Sequence, residues 1–172
     1  SEFISAVDIS SYPKIELSNP VFKDNNGITT SFLEFLKSKG INTIRIRLWV
    51  NPVDEHSSLS EVKSFSETLK SMGFKIYLSL HYSDTWADPG HQVTPSEWQN
   101  TSYNTLKDFV YNYTKMVVQQ INPDIIQIGN EINNGFLHPE GNRYSEPSQF
   151  LELLSEGIRA VRDYSTNPTK IM

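Results

Sequence analysis

The chain alternates short apolar segments with longer amphipathic segments, and this alternation restricts the folds that it can adopt. The apolar segments predict strands and the amphipathic segments predict helices. We predict strands over 3–9, 43–50, 74–80 and 124–130, with the beginning of a fifth strand at 169–172. We predict helices over 31–39, between Ser58 and Gly73, over 103–120 and over 147–164. Repeated β-α units of this kind indicate a parallel sheet with right-handed crossovers.

Local signals support the first two helices. Ser31 with Glu34, and Ser58 with Glu61, match the capping-box pattern at a helix N-terminus. A glycine follows each helix, which is a common way for a helix to end.

Two architectures contain repeated β-α units, an open doubly wound sheet and a closed barrel. The open sheet usually carries a glycine-rich turn after its first strand. Here that turn is Ser10-Ser11-Tyr12-Pro13, which offers no phosphate cradle. The (β/α)8 TIM barrel is therefore favoured, although such a barrel needs eight strands and about 250 residues. We expect residues 1–172 to be the N-terminal half of a single barrel, with four β/α units and the start of strand five.

Composition removes several classes of function. The net charge is -5 and basic residues are not clustered, so a nucleic-acid partner is not expected. No apolar run is long enough to predict a membrane span. The chain contains no cysteine, which excludes disulfides and thiolate chemistry. It begins at Ser1 without a signal peptide, as either a processed or a trimmed chain would.

Unusual polar and aromatic residues gather where the predicted strands end. Asp8 ends the first strand, Trp49 lies near the end of the second, His81 follows the third, and Asn130-Glu131 ends the fourth. In a β/α barrel these carboxyl ends meet at one mouth, which is where active sites are built. We therefore expect the four strand ends to form one site.

The second strand alternates aliphatic residues with Arg45, Arg47 and Trp49. Alternation at period two places these three side chains on one face, which would point to the barrel axis. A buried arginine needs a carboxylate partner, for which Asp8, Glu131 and a residue of the missing half of the barrel are candidates. The alternative is that the arginines only neutralise structural acids inside the barrel.

The loop after the third strand contains His81, Asp84, Trp86 and Asp88. We predict that these residues contact a substrate, with Trp86, and by the same reasoning Trp49, forming an aromatic platform for a sugar face. The alternatives are a structural histidine and tryptophans that belong to the core.

Glu131 is the candidate proton donor. Glycoside hydrolysis needs one carboxylic acid to protonate the leaving oxygen and a second carboxylate to attack or to activate water. Asn130 beside it could hydrogen-bond the 2-hydroxyl of the sugar. The alternative for Glu131 is an ion pair with Arg47.

Four segments give the chain a family resemblance. It resembles the endo-β-1,4-galactanases of glycoside hydrolase family 53, which degrade arabinogalactan with a (β/α)8 barrel. The matching segments occur in the family's order and are Ala6–Ser11, Ile44–Pro52, His81–Gly90 and Gln127–Glu131.

The resemblance implies that Glu131 is the general acid/base of a retaining mechanism and that Asn130 lies beside it in the −1 subsite. It places Arg47 and the His81 loop in the cleft and makes β-1,4-galactan, or type I arabinogalactan, the substrate. It implies no cofactor in this part of the chain, and an extracellular, cell-surface or periplasmic location. The family's nucleophile is a glutamate near the end of strand seven, and some bacterial members bind calcium in a late loop; both lie outside residues 1–172. Ser79 departs from the family, where an aspartate is expected.

Two other functions remain open at this stage. One is a metal-dependent barrel hydrolase with His81, Asp84, Asp88 and Glu131 as ligands. The other is a non-catalytic carbohydrate-binding half barrel, whose open sheet edges would pair with another copy or with the missing C-terminal half.

Overall fold

The computed structural model describes residues 3–172 and contains one parallel sheet. Its strands are β1 (Ala6–Asp8), β2 (Thr43–Leu48), β3 (Lys75–Leu80), β4 (Ile125–Ile128) and β5 (Lys170–Ile171). They are hydrogen-bonded in chain order, β1-β2-β3-β4-β5, and every neighbouring pair is parallel. This order is the one that successive β-α units give when each crossover has the same hand, as the sequence predicts.

The helices are α1 (Tyr12–Glu16), α2 (Phe32–Ser38), α3 (Leu59–Ser71), α4 (Tyr103–Ile121) and α5 (Pro147–Tyr164). Two short 3₁₀ helices cover Ser96–Trp98 and Ile132–Asn134. The sequence predicts the last four α-helices to within a few residues but does not predict α1. That helix has only five residues, too few for a hydrophobic period, and Pro13 lies in its first turn, where proline is favoured.

The predicted caps are present. Ser31 accepts a hydrogen bond from the Glu34 N–H at 3.5 Å, and Ser58 accepts one from the Glu61 N–H at 3.3 Å. Only the first half of each capping box forms, since the Glu61 carboxylate instead accepts from the N–H of Ser57 at 2.9 Å. These caps satisfy backbone donors that have no partner within the helix.

Alternation along the strands separates a helix-facing side from an axis-facing side. Ile44, Ile46 and Leu48 of β2 are fully buried in the core beneath the helices, while Arg45 and Arg47 lie on the other face. β3 and β4 repeat the pattern in register, with Ser79 opposite Arg47 and Gln127 opposite Ser79. The axis-facing side is therefore polar.

Helix α5 packs closely against β4. At Gly157, a Cβ atom would lie 2.8 Å from Cγ2 of Ile128, which is closer than a real side chain tolerates. Glycine at this position therefore allows the helix and the strand to approach closely. Among residues 3–172, no helix has the length and apolar character needed to cross a bilayer.

Strand β4 is shorter than predicted. The sequence pattern extends it to Asn130, but the strand ends at Ile128 because Gly129 adopts φ 87° and turns the chain away from the sheet. Asn130 and Glu131 therefore lie on a turn at the strand end rather than within the strand.

Candidate active site

The four strand ends are joined by hydrogen bonds centred on Arg45. Its Nη1 donates to Oδ2 of Asp8 at 2.6 Å. Its Nη2 lies 3.0 Å from Oγ of Ser79, 3.1 Å from Oε1 of Gln127 and 2.8 Å from Oδ1 of Asn130. These five residues are called the Arg45 network below. Asp8 is thus the carboxylate partner that the sequence predicts for a buried arginine.

Asp8 is held in its ionised form. Burial raises the pKa of this carboxyl, but hydrogen bonds from the Ser10 hydroxyl and N–H, and the Arg45 guanidinium, outweigh burial and lower the pKa from 3.8. The Ser10 Oγ and N atoms lie 2.7 Å and 2.9 Å from Oδ1 of Asp8. A permanent negative charge at the end of β1 therefore balances Arg45.

Arg47 has a different setting. Its Nε donates to Oγ of Ser57 at 3.0 Å and its Nη2 lies 3.4 Å from Oγ of Ser11. Its guanidinium carbon is 4.8 Å from the ring centre of Trp49 and 5.5 Å from that of Trp86. Within residues 3–172 no ion pair joins Arg47 to Glu131, so the alternative of a structural pair between them receives no support.

His81 is buried, with 1% of its surface exposed. Its Nδ1 accepts hydrogen bonds from Nε1 of Trp49 at 3.2 Å and from the N–H of Ala87 at 3.1 Å. The proton of the neutral ring must then be on Nε2, which is buried without a partner in the described part of the chain. Burial, followed by the charges of Arg45 and Arg47, lowers the pKa of His81 from 6.5 to about 3. A role for His81 as a substrate contact stays a prediction.

The two tryptophans of the predicted platform lie together. Trp86 is 44% exposed, and its ring packs edge-on against His81 with the ring centres 5.3 Å apart. Trp49 is half-buried and packs on the same histidine from a centre-to-centre distance of 6.4 Å. The exposed surface of Trp86 is compatible with the predicted sugar contact, which stays a prediction.

Asp84 and Asp88 hold the loop that contains Trp86. Asp84 accepts hydrogen bonds from the N–H of Asn51 at 3.1 Å and from the N–H and hydroxyl of Ser96, both at 2.8 Å. Asp88 accepts from the N–H of Gly90 at 2.7 Å and pairs with His91. A hydrogen bond from the Gly90 N–H, and then one from His91, lowers the pKa of Asp88.

These positions bear on the metal-dependent alternative. In the region covered by the structure, no three His, Asp or Glu side chains lie close enough together to hold a metal ion. His81, Asp84, Asp88 and Glu131 therefore do not converge as a ligand set, and the acids of the loop bond to backbone N–H groups instead.

Asn130 and Glu131 occupy the turn after β4. Asn130 is 3% exposed; its Oδ1 accepts from Arg45 and its Nδ2 donates to the carbonyl of Ala87 at 2.8 Å. Glu131 is exposed and adopts φ 51° and ψ 44°, the left-handed conformation that non-glycine residues rarely adopt. A Cβ atom on Gly129 would lie 2.5 Å from Cγ2 of Ile132, so this position requires glycine. The turn thus combines a fixed amide with an exposed carboxylate.

Comparison with known proteins identifies the family. The profile described as "Glycosyl hydrolase family 53" matches residues 4–172. The chain belongs to this family. It is 41% identical over 167 residues to arabinogalactan endo-beta-1,4-galactanase A of Emericella nidulans, an alignment that covers 94% of this chain and 47% of the relative.

Two solved structures of family 53 proteins agree with the fold. The family 53 catalytic domain of Ignisphaera aggregans superposes with a TM-score of 0.90 at 40% identity, covering 98% of this chain and 50% of that one. A fungal beta-1,4-galactanase superposes with a TM-score of 0.93 at 34% identity. The alignment covers 100% of this chain and 53% of that chain. The chain spans about half the length of these relatives. Its architecture is that of the first four β/α units of a family 53 barrel and the start of the fifth strand, which confirms the predicted fold class.

Sequence reasoning did not find all members of this site in the family 53 chain. Ser10 and Gln127, which bond to Asp8 and Arg45, were not predicted. Gln127 could have been found by the period-two pattern, because it lies on the axis face of β4 in register with Ser79. Ser10 carries no such signal, since it follows the end of a short strand.

Proposed function

We propose that residues 1–172 are the N-terminal half of the catalytic barrel of a retaining endo-β-1,4-galactanase. The observation that carries the proposal is the Asn130-Glu131 turn at the end of β4, where an amide fixed by Arg45 lies beside an exposed carboxylate. Membership of family 53 and the name of the Emericella nidulans relative support galactan as the substrate.

Glu131 is the general acid and base of the proposed mechanism. Its carboxylic acid protonates the oxygen that joins two galactose units, while a second carboxylate attacks the anomeric carbon to form a glycosyl-enzyme. Glu131, now ionised, then removes a proton from water as the water displaces the second carboxylate. That nucleophile, a glutamate in the family, would come from a strand outside residues 1–172. The two carboxyl groups of a retaining enzyme lie about 5–5.5 Å apart, which sets the geometry that the second half would complete.

Asn130 retains one N–H for the substrate. Its amide has two donors, of which one is used by the Ala87 carbonyl, and its oxygen is occupied by Arg45. The remaining N–H can donate to the 2-hydroxyl of the sugar in the −1 subsite, a contact that strengthens as positive charge develops on the ring.

The proposed cleft extends along the other strand ends. Trp86 and Trp49 supply aromatic faces, Arg47 supplies hydrogen-bond donors, and the loop held by Asp84 and Asp88 forms the wall. The mechanism needs two carboxylates and no cofactor. Because a polysaccharide does not cross a membrane, the enzyme would act outside the cytoplasm.

The decisive experiment measures reducing ends released from β-1,4-galactan by the full-length chain and by residues 1–172 alone. Glu131→Gln in the full-length chain should lower kcat by about 1,000-fold, as loss of general acid–base catalysis does. Glu140→Gln, which changes a carboxylate in the same loop, is the control and should retain activity. Full activity of Glu131→Gln would contradict the proposed role.

Two further measurements test the mechanism. The first product should have the β configuration by proton NMR if configuration is retained. Residues 1–172 alone should not hydrolyse galactan, because protonation without a nucleophile leaves most of the barrier; turnover by this half would place the nucleophile within it.

A second candidate is a non-catalytic half barrel that binds carbohydrate and assembles with another chain. The observation in its favour is that β1 and β5 form the edges of the sheet within residues 3–172, and sheet edges present unpaired backbone groups. Sedimentation of residues 1–172 distinguishes the two, since a stable monomer of 19.7 kDa would contradict assembly through these edges.

A further inference from the structure

Glu131 has a backbone conformation that its own side chain does not stabilise. Glycine tolerates the left-handed region, but a side-chain-bearing residue in that region is strained and must be held there by its surroundings. Glu131 precedes a 3₁₀ helix and makes no side-chain cap to it. Some other group must therefore hold this turn.

Gln92 supplies that group. It lies in the loop between β3 and α4, 4% exposed, and its Nε2 is 2.8 Å from the carbonyl oxygen of Asn130 and 3.4 Å from the carbonyl oxygen of Glu131. The end of the amide that faces two carbonyl oxygens must be the NH₂ group, which has a donor for each.

These two carbonyls flank the α-carbon of Glu131. The orientation of the first peptide plane about that carbon is given by φ, and the orientation of the second by ψ. One amide group that bonds to both oxygens therefore fixes both angles of Glu131, and with them the direction of its Cα–Cβ bond.

Gln92 is itself anchored. The backbone carbonyl of Gln92 accepts a hydrogen bond from the N–H of His138 at 2.8 Å. The neighbouring Val93 forms a parallel bridge with His138. The backbone of Gln92 is thus tied to the middle of the loop between β4 and α5, while its side chain bonds the start of that loop. This arrangement leaves the amide little freedom to move away from Glu131.

We propose that Gln92 is a positioning residue, which holds the Glu131 carboxyl at the leaving oxygen by bonding both carbonyls that flank the Glu131 α-carbon. The inference rests on the proposed role of Glu131 as general acid. It assigns no contact with substrate to Gln92.

The test replaces Gln92 with Met in the full-length enzyme, because Met keeps the length and burial of the side chain but removes the donor. Two substrates are compared: galactan, whose leaving group needs a proton, and an aryl galactoside with a strongly acidic phenol as its leaving group, which does not. Misplacing the acid should lower kcat on galactan by about 100-fold with little change in KM. It should lower kcat/KM of the aryl substrate, which reports only formation of the glycosyl-enzyme, far less, because the base that Glu131 supplies acts after that step.

Gln99→Met is the matched control. Gln99 lies in the same loop and its Nε2 also donates to a carbonyl at 2.8 Å, that of Thr94, but it does not bond the Glu131 turn. This variant should behave as the wild type on both substrates. Melting temperatures of both variants report any general loss of stability.

Gln92→Asn is a second variant that keeps the test valid if the Met variant misfolds. It keeps the side-chain amide but shortens the side chain by one methylene group. It should show the same selective loss on galactan to a smaller degree. A crystal structure of Gln92→Met should show Glu131 outside the left-handed conformation.

An equal loss of kcat/KM on both substrates, or no loss on either, would overturn the inference. If Glu131→Gln abolishes activity while Gln92→Met leaves it unchanged, only the role of Gln92 fails. If Glu131→Gln is fully active, the proposed function itself fails, whatever Gln92 does.

Discussion

Arg45 and Arg47 lie two residues apart on the same face of β2, yet their environments differ. Arg45 pairs with a carboxylate and bonds three further side chains, from β3, from β4 and from the turn after β4. Arg47 bonds two serine hydroxyls and lies over the faces of two tryptophans. The hydrogen bonds of Arg45 join several strand ends, whereas Arg47 lies among serines and tryptophans.

The surroundings of one strand face therefore change from a polar network to aromatic rings within a single period. The guanidinium group nearer the middle of the sheet satisfies buried acceptors and orients Asn130. The guanidinium group nearer the strand end contacts the aromatic surface where a sugar would lie. For Arg45 the structure shows an ion pair with Asp8, and a contact of Asp8 with substrate stays a prediction.

The largest expected effect comes from Arg45→Met. This change leaves Asp8 without its counter-charge and removes one donor each from the oxygens of Gln127 and Asn130. We expect the free energy of unfolding to fall by about 3 kcal/mol, measured by urea denaturation of the full-length chain. The double variant with Asp8→Asn should lose less than the sum of the two single changes. Strict additivity would show that the ion pair does not couple the two strands.

The next effect depends on pH and concerns His81, which both arginines influence. The pKa of His81 is about 3 in the folded chain, below the ordinary value of 6.5. Between these two pH values, His81 therefore binds a proton in the unfolded chain but not in the folded chain. Its contribution to stability is complete above pH 6.5 and is lost as the pH falls toward 3. When the pH is lowered from 7.5 to 5, we expect the titration of this group to lower the free energy of unfolding by about 2 kcal/mol.

The measurement compares urea midpoints at the two pH values. In His81→Gln, the free energy of unfolding should fall by about 2 kcal/mol less between these two pH values than it does in the wild type. Equal slopes in the wild type and His81→Gln would show that His81 titrates normally.

Arg47→Met should affect binding more than stability. Loss of two hydrogen bonds to serine and of the contacts with tryptophan should cost roughly 1 kcal/mol of stability. The affinity for a β-1,4-galacto-oligosaccharide should fall by about tenfold, measured by calorimetry, which corresponds to about 1.4 kcal/mol. Arg47→Lys keeps the charge but not the planar fork, so it should recover only part of the affinity. A stability loss as large as that of Arg45→Met would remove the distinction between the two arginines.

The smallest effect is expected from Ser10→Ala. This change removes the hydroxyl that helps to hold the Asp8 pKa below 3.8. It should therefore lower the free energy of unfolding by about 1 kcal/mol at neutral pH. Because that pKa is lowered on folding, the stabilisation exists above pH 3.8 and disappears as the pH falls through the folded pKa. The difference from the wild type should therefore shrink below pH 4. Ser11→Ala, at the neighbouring serine, should show no such dependence on pH.

Much of the fold was predictable because its strands and helices are periodic. Helix α5 has the predicted bounds of 147–164, and β2 starts at the predicted Thr43. The pairing of Arg45 with Asp8 was also predictable, since a charge on an axis-facing position needs a partner. Local rules of charge and period are enough for these features.

The remaining parts of the site depend on contacts between distant segments. Arg45 bonds the side chain of Asn130, 85 positions later, and Gln92 bonds the carbonyl of Asn130, 38 positions later. No local pattern marks a glutamine in an irregular loop as the partner of a backbone carbonyl. The burial of His81 was missed for a similar reason, because the residues that cover it come from separate loops.

The chain-order arrangement of the sheet has a consequence for biosynthesis. Each strand pairs with the strand made just before it, so strand pairing needs no segment that is still within the ribosome. The Arg45 network involves only residues up to Asn130, and the Gln92 anchor is complete at His138. The part of the cleft that contains the proposed proton donor can therefore assemble during translation, ahead of the strand that would carry the nucleophile.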